Sequence, residues 1–266
     1  MIKFCISFVL TVVCLFLSSF QSYSQLSITV PKNANGLEII KNKELFLKTV
    51  KIDSNKEMIS LKSFIPFIVL DLRYATTNNF MHQRMYSPKT NDTYLRLPAA
   101  KALLKVQQEL NKKGLGLKIF DAYRPYSVTK KFWELVHDER YVANPKKGSG
   151  HNRGIAVDLT IIDLKTDKEL NMGTGFDNFT DSAHQDFAVL PKDVLANRQM
   201  LKETVEKYGF NLLATEWWHY SWPNPEKFEI LDLDIQKGEN ILKSKFFCYQ
   251  LLFFVSSPLA SQSLYL

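Results

Sequence analysis

The chain has little of what would settle its class at once. Of three cysteines, Cys5 and Cys14 fall within the first 24 residues, and only Cys248 lies beyond them. A chain cleaved after that segment can form no internal disulfide, so an exported form must be held by its core or by a metal. There is no long Lys/Arg block. The net charge of +7 is scattered, which reads as a solvated basic surface and not as a nucleic-acid groove. A mild basic excess also suits work near an anionic cell wall or membrane surface. No internal repeat and no long linker divide the sequence. With 266 residues, 45% hydrophobic and 23% charged, the composition excludes a wholly disordered or collagen-like chain. That length can bury a core without disulfide staples.

The N-terminus differs from the rest. Lys3 is the only charge in residues 1–24, and Phe4 to Phe20 is almost continuously apolar. Small residues Ser22 and Ser24 follow. This is the pattern of a secretory signal peptide, with cleavage expected near Ser24 and an exported, periplasmic or envelope-associated product. An uncleaved anchor is the alternative. A lipoprotein reading through Cys14 is weaker, because Val13 is bulky where a small residue is wanted.

Residues 25–59 read as a lead-in with one or two short elements. Ile65 to Leu72 suggests a strand. Pro98 opens a helix with Leu103, Leu104, Gln107 and Leu110 at helical spacing, and Gly114 ends it. Leu115 to Phe120 alternates as a strand. A second helix is expected from about Ser127 to Glu139, with Phe132, Trp133 and Val136 inward. Gly148-Ser149-Gly150 reads as a turn and Gly154 to Ile162 as a β-rich run. Pro191 opens a third helix with Val194, Leu195, Leu201 and Val205 on one face and Gly209 as its cap; one short strand carries Leu212 to Tyr220. The sum is one α+β domain. The tail, residues 236–266, contains the apolar run Phe246–Val255, which is shorter than the roughly 20 residues a membrane-spanning helix needs. It is expected to carry no chemistry.

Two of the five histidines sit in dense polar contexts, His151 in Ser149-Gly150-His151 through Asp158 and His219 in Glu216-Trp217-Trp218-His219-Tyr220. A zinc hydrolase wants three protein ligands of the His/Asp/Glu type, an open position, and a carboxylate to take a water proton. If the chain turns at Gly154, His151 and Asp158 can face one site. Glu216 and His219 are out of phase by one on a strand, so they need a twist, a bulge or a strand end to converge. A lone histidine is usually a core or surface residue, and His82 and His137 stay with that reading. Arg124, between Tyr123 and Pro125, suits either an oxyanion or a salt bridge to Asp121.

The motifs Asp71-Leu72-Arg73-Tyr74 through Phe80, Asp121-Ala122-Tyr123-Arg124-Pro125, Ser149-Gly150-His151 through Thr160, Met172-Gly173-Thr174-Gly175-Phe176-Asp177 and Glu216-Trp217-Trp218-His219-Tyr220 stand in this order. In that order the chain resembles the zinc-dependent D-alanyl-D-alanine dipeptidases, which include the vancomycin-resistance dipeptidase. The resemblance covers roughly residues 60–235 and implies the D,D-peptidase/Hedgehog-like fold, a central, mainly antiparallel sheet flanked by helices. It implies one Zn²⁺ per chain on His151, Asp158 and His219, with Glu216 as general base and Arg124 stabilising the oxyanion. Tyr74, Ser149 and Asp177 match positions that hold the charged ends of the dipeptide. Gly150 departs from the side chain common before the first histidine. The leader and the tail have no counterpart in the family's pattern. Two rivals remain: a D,D-carboxypeptidase acting on longer peptidoglycan peptides, and a zinc-containing wall-binding module without hydrolysis.

Overall fold

The computed structural model describes residues 28–234. The expected leader and the tail from residue 236 lie outside the described residues.

The lead-in carries β1 (Ile39–Ile40), α1 (Lys43–Ile52) and β2 (Met58–Ser60). The Asn42 side chain caps α1 by accepting from the Leu45 N–H. A single helical turn, α2 (Leu61–Phe64), leads to β3 (Val69–Leu70). The strand expected over 65–72 is cut to these two residues. Phe67 takes a left-handed φ of 64°, which breaks the extended run before it.

Next come β4 (Tyr94–Arg96) and α3 (Leu97–Asn111), with Pro98 in the first turn, where a missing N–H costs nothing. α3 buries Leu103, Val106 and Leu110. It ends ahead of Gly114, whose φ of 72° turns the chain into β5 (Leu115–Asp121). α4 (Tyr126–Val136) follows, three residues shorter at its end than expected, because His137 adopts the left-handed cap. Then come the short helix α5 (Gly150–Arg153), β6 (Ala156–Asp163), β7 (Lys168–Glu169) and α6 (Lys192–Lys207). The single strand expected over 212–220 is a hairpin of β8 (Asn211–Leu213) and β9 (Glu216–Ser221), and β10 (Ile230–Leu231) comes last.

The main sheet has six strands in the order β3-β5-β6-β9-β8, with β7 beside β6. Only β3 and β5 run parallel; the other pairs are antiparallel. This is the expected α+β architecture with a mainly antiparallel sheet. The largest core cluster joins α3 and α6 to the sheet through Leu103, Val106, Leu117, Leu159, Leu201 and Trp218. β6 is buried along almost its whole length, as a strand covered on both faces must be. The lead-in is part of the same fold: β1 pairs with β10, and β2 pairs with β4.

Candidate metal and catalytic site

The site forms where β5, β6 and β9 lie side by side. The register sets Asp121 opposite Asp158, and Asp158 opposite His219. One row across three strands therefore carries two carboxylates and an imidazole. The fourth member arrives from α5. Ser149 caps that helix in a reciprocal box with Asn152, and Gly154 ends it at φ 70°. A Cβ at Gly154 would lie 2.6 Å from the end of Met58. The left-handed turn and the close packing both require glycine there, and the turn sends the chain back into β6.

The His151 ring is aimed by its second nitrogen. Nδ1 lies 2.6 Å from the Ala122 carbonyl and donates to it. Nε2 therefore keeps its lone pair, and it faces Asp158 Oδ2 at 3.4 Å and His219 Nδ1 at 3.3 Å. His219 Nδ1 lies 2.8 Å from Asp158 Oδ1, while its Nε2 lies 3.1 Å from Ser221 Oγ. The three ligand atoms lie within 4.8 Å of one another. Acceptors so gathered in a buried place repel unless a cation joins them. Two imidazoles, each held at its other nitrogen, and a carboxylate suit a divalent ion such as zinc. Burial would raise the Asp158 carboxyl, yet the two histidines outweigh it and hold Asp158 well below the usual carboxylate range. Burial would likewise lower His151, but Asp158 and Asp121 raise it.

Glu216 reaches the same place through a bulge. On β8, Leu212 pairs with Tyr220 and the next residue, Leu213, pairs with Glu216. One step on β8 thus spans four residues on β9, which brings out-of-phase residues to one side. The Glu216 carboxylate ends 3.9 Å from His219 Nδ1. Burial pushes it up to about 7, with Asp158 and Asp177 adding to the rise and His219 and Arg124 opposing it. Trp217 and Trp218 between them are both buried and packed edge to face.

Arg124 is buried, and both sequence readings of it remain compatible. Its Nε and Nη2 donate to Asp121 Oδ2 at 3.0 and 2.7 Å. Its guanidinium carbon stands 5.0 Å from the ring centres of Tyr74 and Phe132. Asp121 Oδ1 accepts from the Tyr86 hydroxyl at 2.6 Å. The guanidinium is fixed in orientation before any substrate arrives.

Tyr74 and Asp177 meet: the Tyr74 hydroxyl donates to Asp177 Oδ1 at 2.9 Å. The other oxygen, Oδ2, is buried and has no hydrogen-bond partner. Burial pushes Asp177 up to about 7, helped by the charge on Asp158 and opposed by the Tyr74 hydroxyl, the Arg124 charge and the nearby Phe80 N–H. Such a carboxylate wants a cation. Ser149 differs from these. Its hydroxyl accepts from the Asn152 N–H, and it makes no hydrogen bond to the cluster among the described residues. Gly150 has a packing reason, since a Cβ there would lie 2.8 Å from that of Ala156.

Sequence reasoning did not single out Tyr86 or Ser221. Tyr86 gains its role only from a tertiary neighbour, Asp121, while Ser221 stands just past the Glu216–Tyr220 motif and meets the His219 ring two residues back on the same strand. Asp121 was visible as a partner of Arg124, but not as a carboxylate shared with Tyr86.

A family model described as D-ala-D-ala dipeptidase matches residues 54–247. The D-alanyl-D-alanine dipeptidase of Escherichia coli (strain K12) is 31% identical over 175 residues, which cover 66% of this chain and 89% of that protein. The D-alanyl-D-alanine dipeptidase of Streptomyces coelicolor is 32% identical, over 59% of this chain and 89% of that one. A solved vancomycin-resistance D,D-pentapeptidase in complex with Zn(II) aligns with a TM-score of 0.33 at 16% identity, over 52% of this chain and 77% of that chain. The family match, and not that distant likeness, decides the assignment. It encloses every residue of the site, and the chain belongs to the D-alanyl-D-alanine dipeptidase family of peptidases.

Proposed function

We propose that this chain is an exported zinc dipeptidase that hydrolyses D-alanyl-D-alanine to two D-alanines. The observation that carries the choice of substrate is the buried, unpartnered Oδ2 of Asp177 beside the cluster. A free ammonium satisfies it, and a dipeptide has one where a longer peptide has an amide. Export rests on the leader pattern of residues 1–24.

His151, Asp158 and His219 would hold a zinc ion, which when bound would supply Lewis acidity toward a water and the scissile carbonyl. Glu216 accepts the water's proton on its carboxylate. It then delivers that proton to the amine of the leaving D-alanine. Burial raises the Glu216 carboxyl well above the usual carboxylate range, which makes it a stronger base toward the water's proton. Arg124 presents a guanidinium, fixed by Asp121, to the oxygen that gains negative charge. Tyr74 holds Asp177 in place for the substrate ammonium.

The test compares D-alanyl-D-alanine with its N-acetylated form. The dipeptidase reading expects the blocked substrate to lose most of kcat/KM. Equal rates would move the assignment to a D,D-carboxypeptidase of wall peptides. A folded, zinc-loaded chain that turns over neither substrate nor a longer D,D-peptide would leave a wall-binding module.

A further inference from the structure

A bulged strand leaves backbone carbonyls without ladder partners, and something else must satisfy them. In β9 the irregular stretch opens at Glu216, the residue that closes the turn opposite Leu213, and runs into Trp217, which has no partner on β8 or β6. One side chain from a distant loop meets both. The Gln185 amide donates to the Glu216 carbonyl at 3.2 Å and to the Trp217 carbonyl at 3.4 Å. The backbone N–H of Gln185 donates to the Ala214 carbonyl, in the turn of the same hairpin, at 2.9 Å. A single residue thus grips the β8–β9 hairpin at its turn and at the start of its irregular stretch.

Gln185 is itself held. Arg198, buried on α6, donates to the carbonyls of Ser182 at 2.8 Å and His184 at 3.1 Å, the residues just before Gln185. Its Nε donates to the Met172 carbonyl at 2.7 Å. The path runs from α6 through this loop to the bulge. Gln185 makes no hydrogen bond to His151, Asp158 or His219 among the described residues.

We propose that Gln185 is a positioning residue whose amide fixes the β9 bulge, so that Glu216 and His219 share one site. The proposal rests on the function given above for Glu216 and His219. On an unbraced strand their side chains, three residues apart, diverge to opposite faces. A bulge that relaxes toward regular pairing moves the base away from the cluster and turns the His219 ring. Displacement of about 1 Å at a reacting group can cost about 100-fold in rate.

Gln185→Met keeps the length of the side chain and removes both amide donors. Two readouts apply to the folded, full-length variant: the zinc dissociation constant by chelator competition, and kcat and KM on D-alanyl-D-alanine. The expected result is a zinc affinity weakened about 10-fold. A kcat lowered about 10- to 100-fold, with KM changed far less, is expected beside it. A lower melting temperature with unchanged zinc affinity and unchanged kcat would make Gln185 an ordinary structural residue and overturn the proposal. If Gln185→Met does not fold, Gln185→Asn, whose amide is one methylene too short, carries the same test. If neither folds, Gln185 is a folding determinant and the proposal fails. The zinc readout stands apart from the proposed substrate, because it can be made on a chain that hydrolyses no dipeptide at all.

Discussion

Glu216 and Asp177 are two carboxyls that burial raises to about 7, and the site uses them differently. In the proposed mechanism Glu216 carries a proton from the attacking water to the leaving amine. Glu216→Gln keeps the shape and removes the base, so kcat on D-alanyl-D-alanine should fall about 100- to 10,000-fold with zinc still bound. Steady-state rates beside zinc content check this, and full activity would refute the base assignment. In the same proposal Asp177 holds a charge opposite the substrate ammonium. Its folded value is raised from 3.8 to about 7, so between these pH values the folded chain keeps a proton that the unfolded chain has lost. Stability from this group therefore falls as pH rises through that window. Below about 7 it is neutral and pairs poorly with an ammonium, so KM for the dipeptide should rise as pH falls. Asp177→Asn should raise KM and flatten both pH dependences, measured by urea unfolding and by steady-state kinetics from pH 5 to 8. Arg124→Lys removes the two-nitrogen grip on Asp121 and should lower kcat about 100-fold.

At the scale of elements, the site depends on two irregular pieces of chain. One is the four-residue helix α5 with its glycine exit. Gly154→Ala forces a side chain into the left-handed region, at a cost of about 1–2 kcal/mol, and presses on Met58. Thermal melting should show the loss, and zinc affinity should fall as His151 shifts. The other is the β9 bulge. The sequence showed that His151 and Asp158 could meet across a turn at Gly154, and they do. It also showed that Glu216 and His219 could not meet on a regular strand. It did not show how they do, because Trp217 and Trp218 are both apolar and both buried, so the alternation that marks register is lost there. Gln185 is an ordinary polar residue in sequence, and its partners become visible only once the hairpin is folded. Phe67 likewise gave no sign of the left-handed turn that shortens β3.

At the scale of the whole molecule, the lead-in is tied to the site. Arg96 is fully buried. Its guanidinium donates to the carbonyls of Lys56, Arg153 and Glu229, and its N–H to that of Gly154. One side chain thus joins the lead-in, the end of the helix that carries His151, and the segment leading to β10. Glu229, buried beside it, also pairs with Lys56. Arg96→Met would leave three carbonyls without their donor and Glu229 with Lys56 as its remaining partner, with an expected loss of about 3–5 kcal/mol read by denaturant unfolding. Composition and helical spacing were enough to indicate the α+β class and the three long helices. They could not show that residues 39–40 pair with β10 near the far end of the described residues, or that residues 58–60 pair with β4, since strands of two and three residues leave little pattern to read.

The central claim is that one metal, gathered by His151, Asp158 and His219, makes this chain a hydrolase of D-alanyl-D-alanine. Its most direct test is D-alanine release from that dipeptide by the purified chain, before chelation, after chelation and after zinc is returned. The account expects release that chelation abolishes and zinc restores. Release that survives complete removal of metal, or its absence from a folded, zinc-loaded chain, would contradict it.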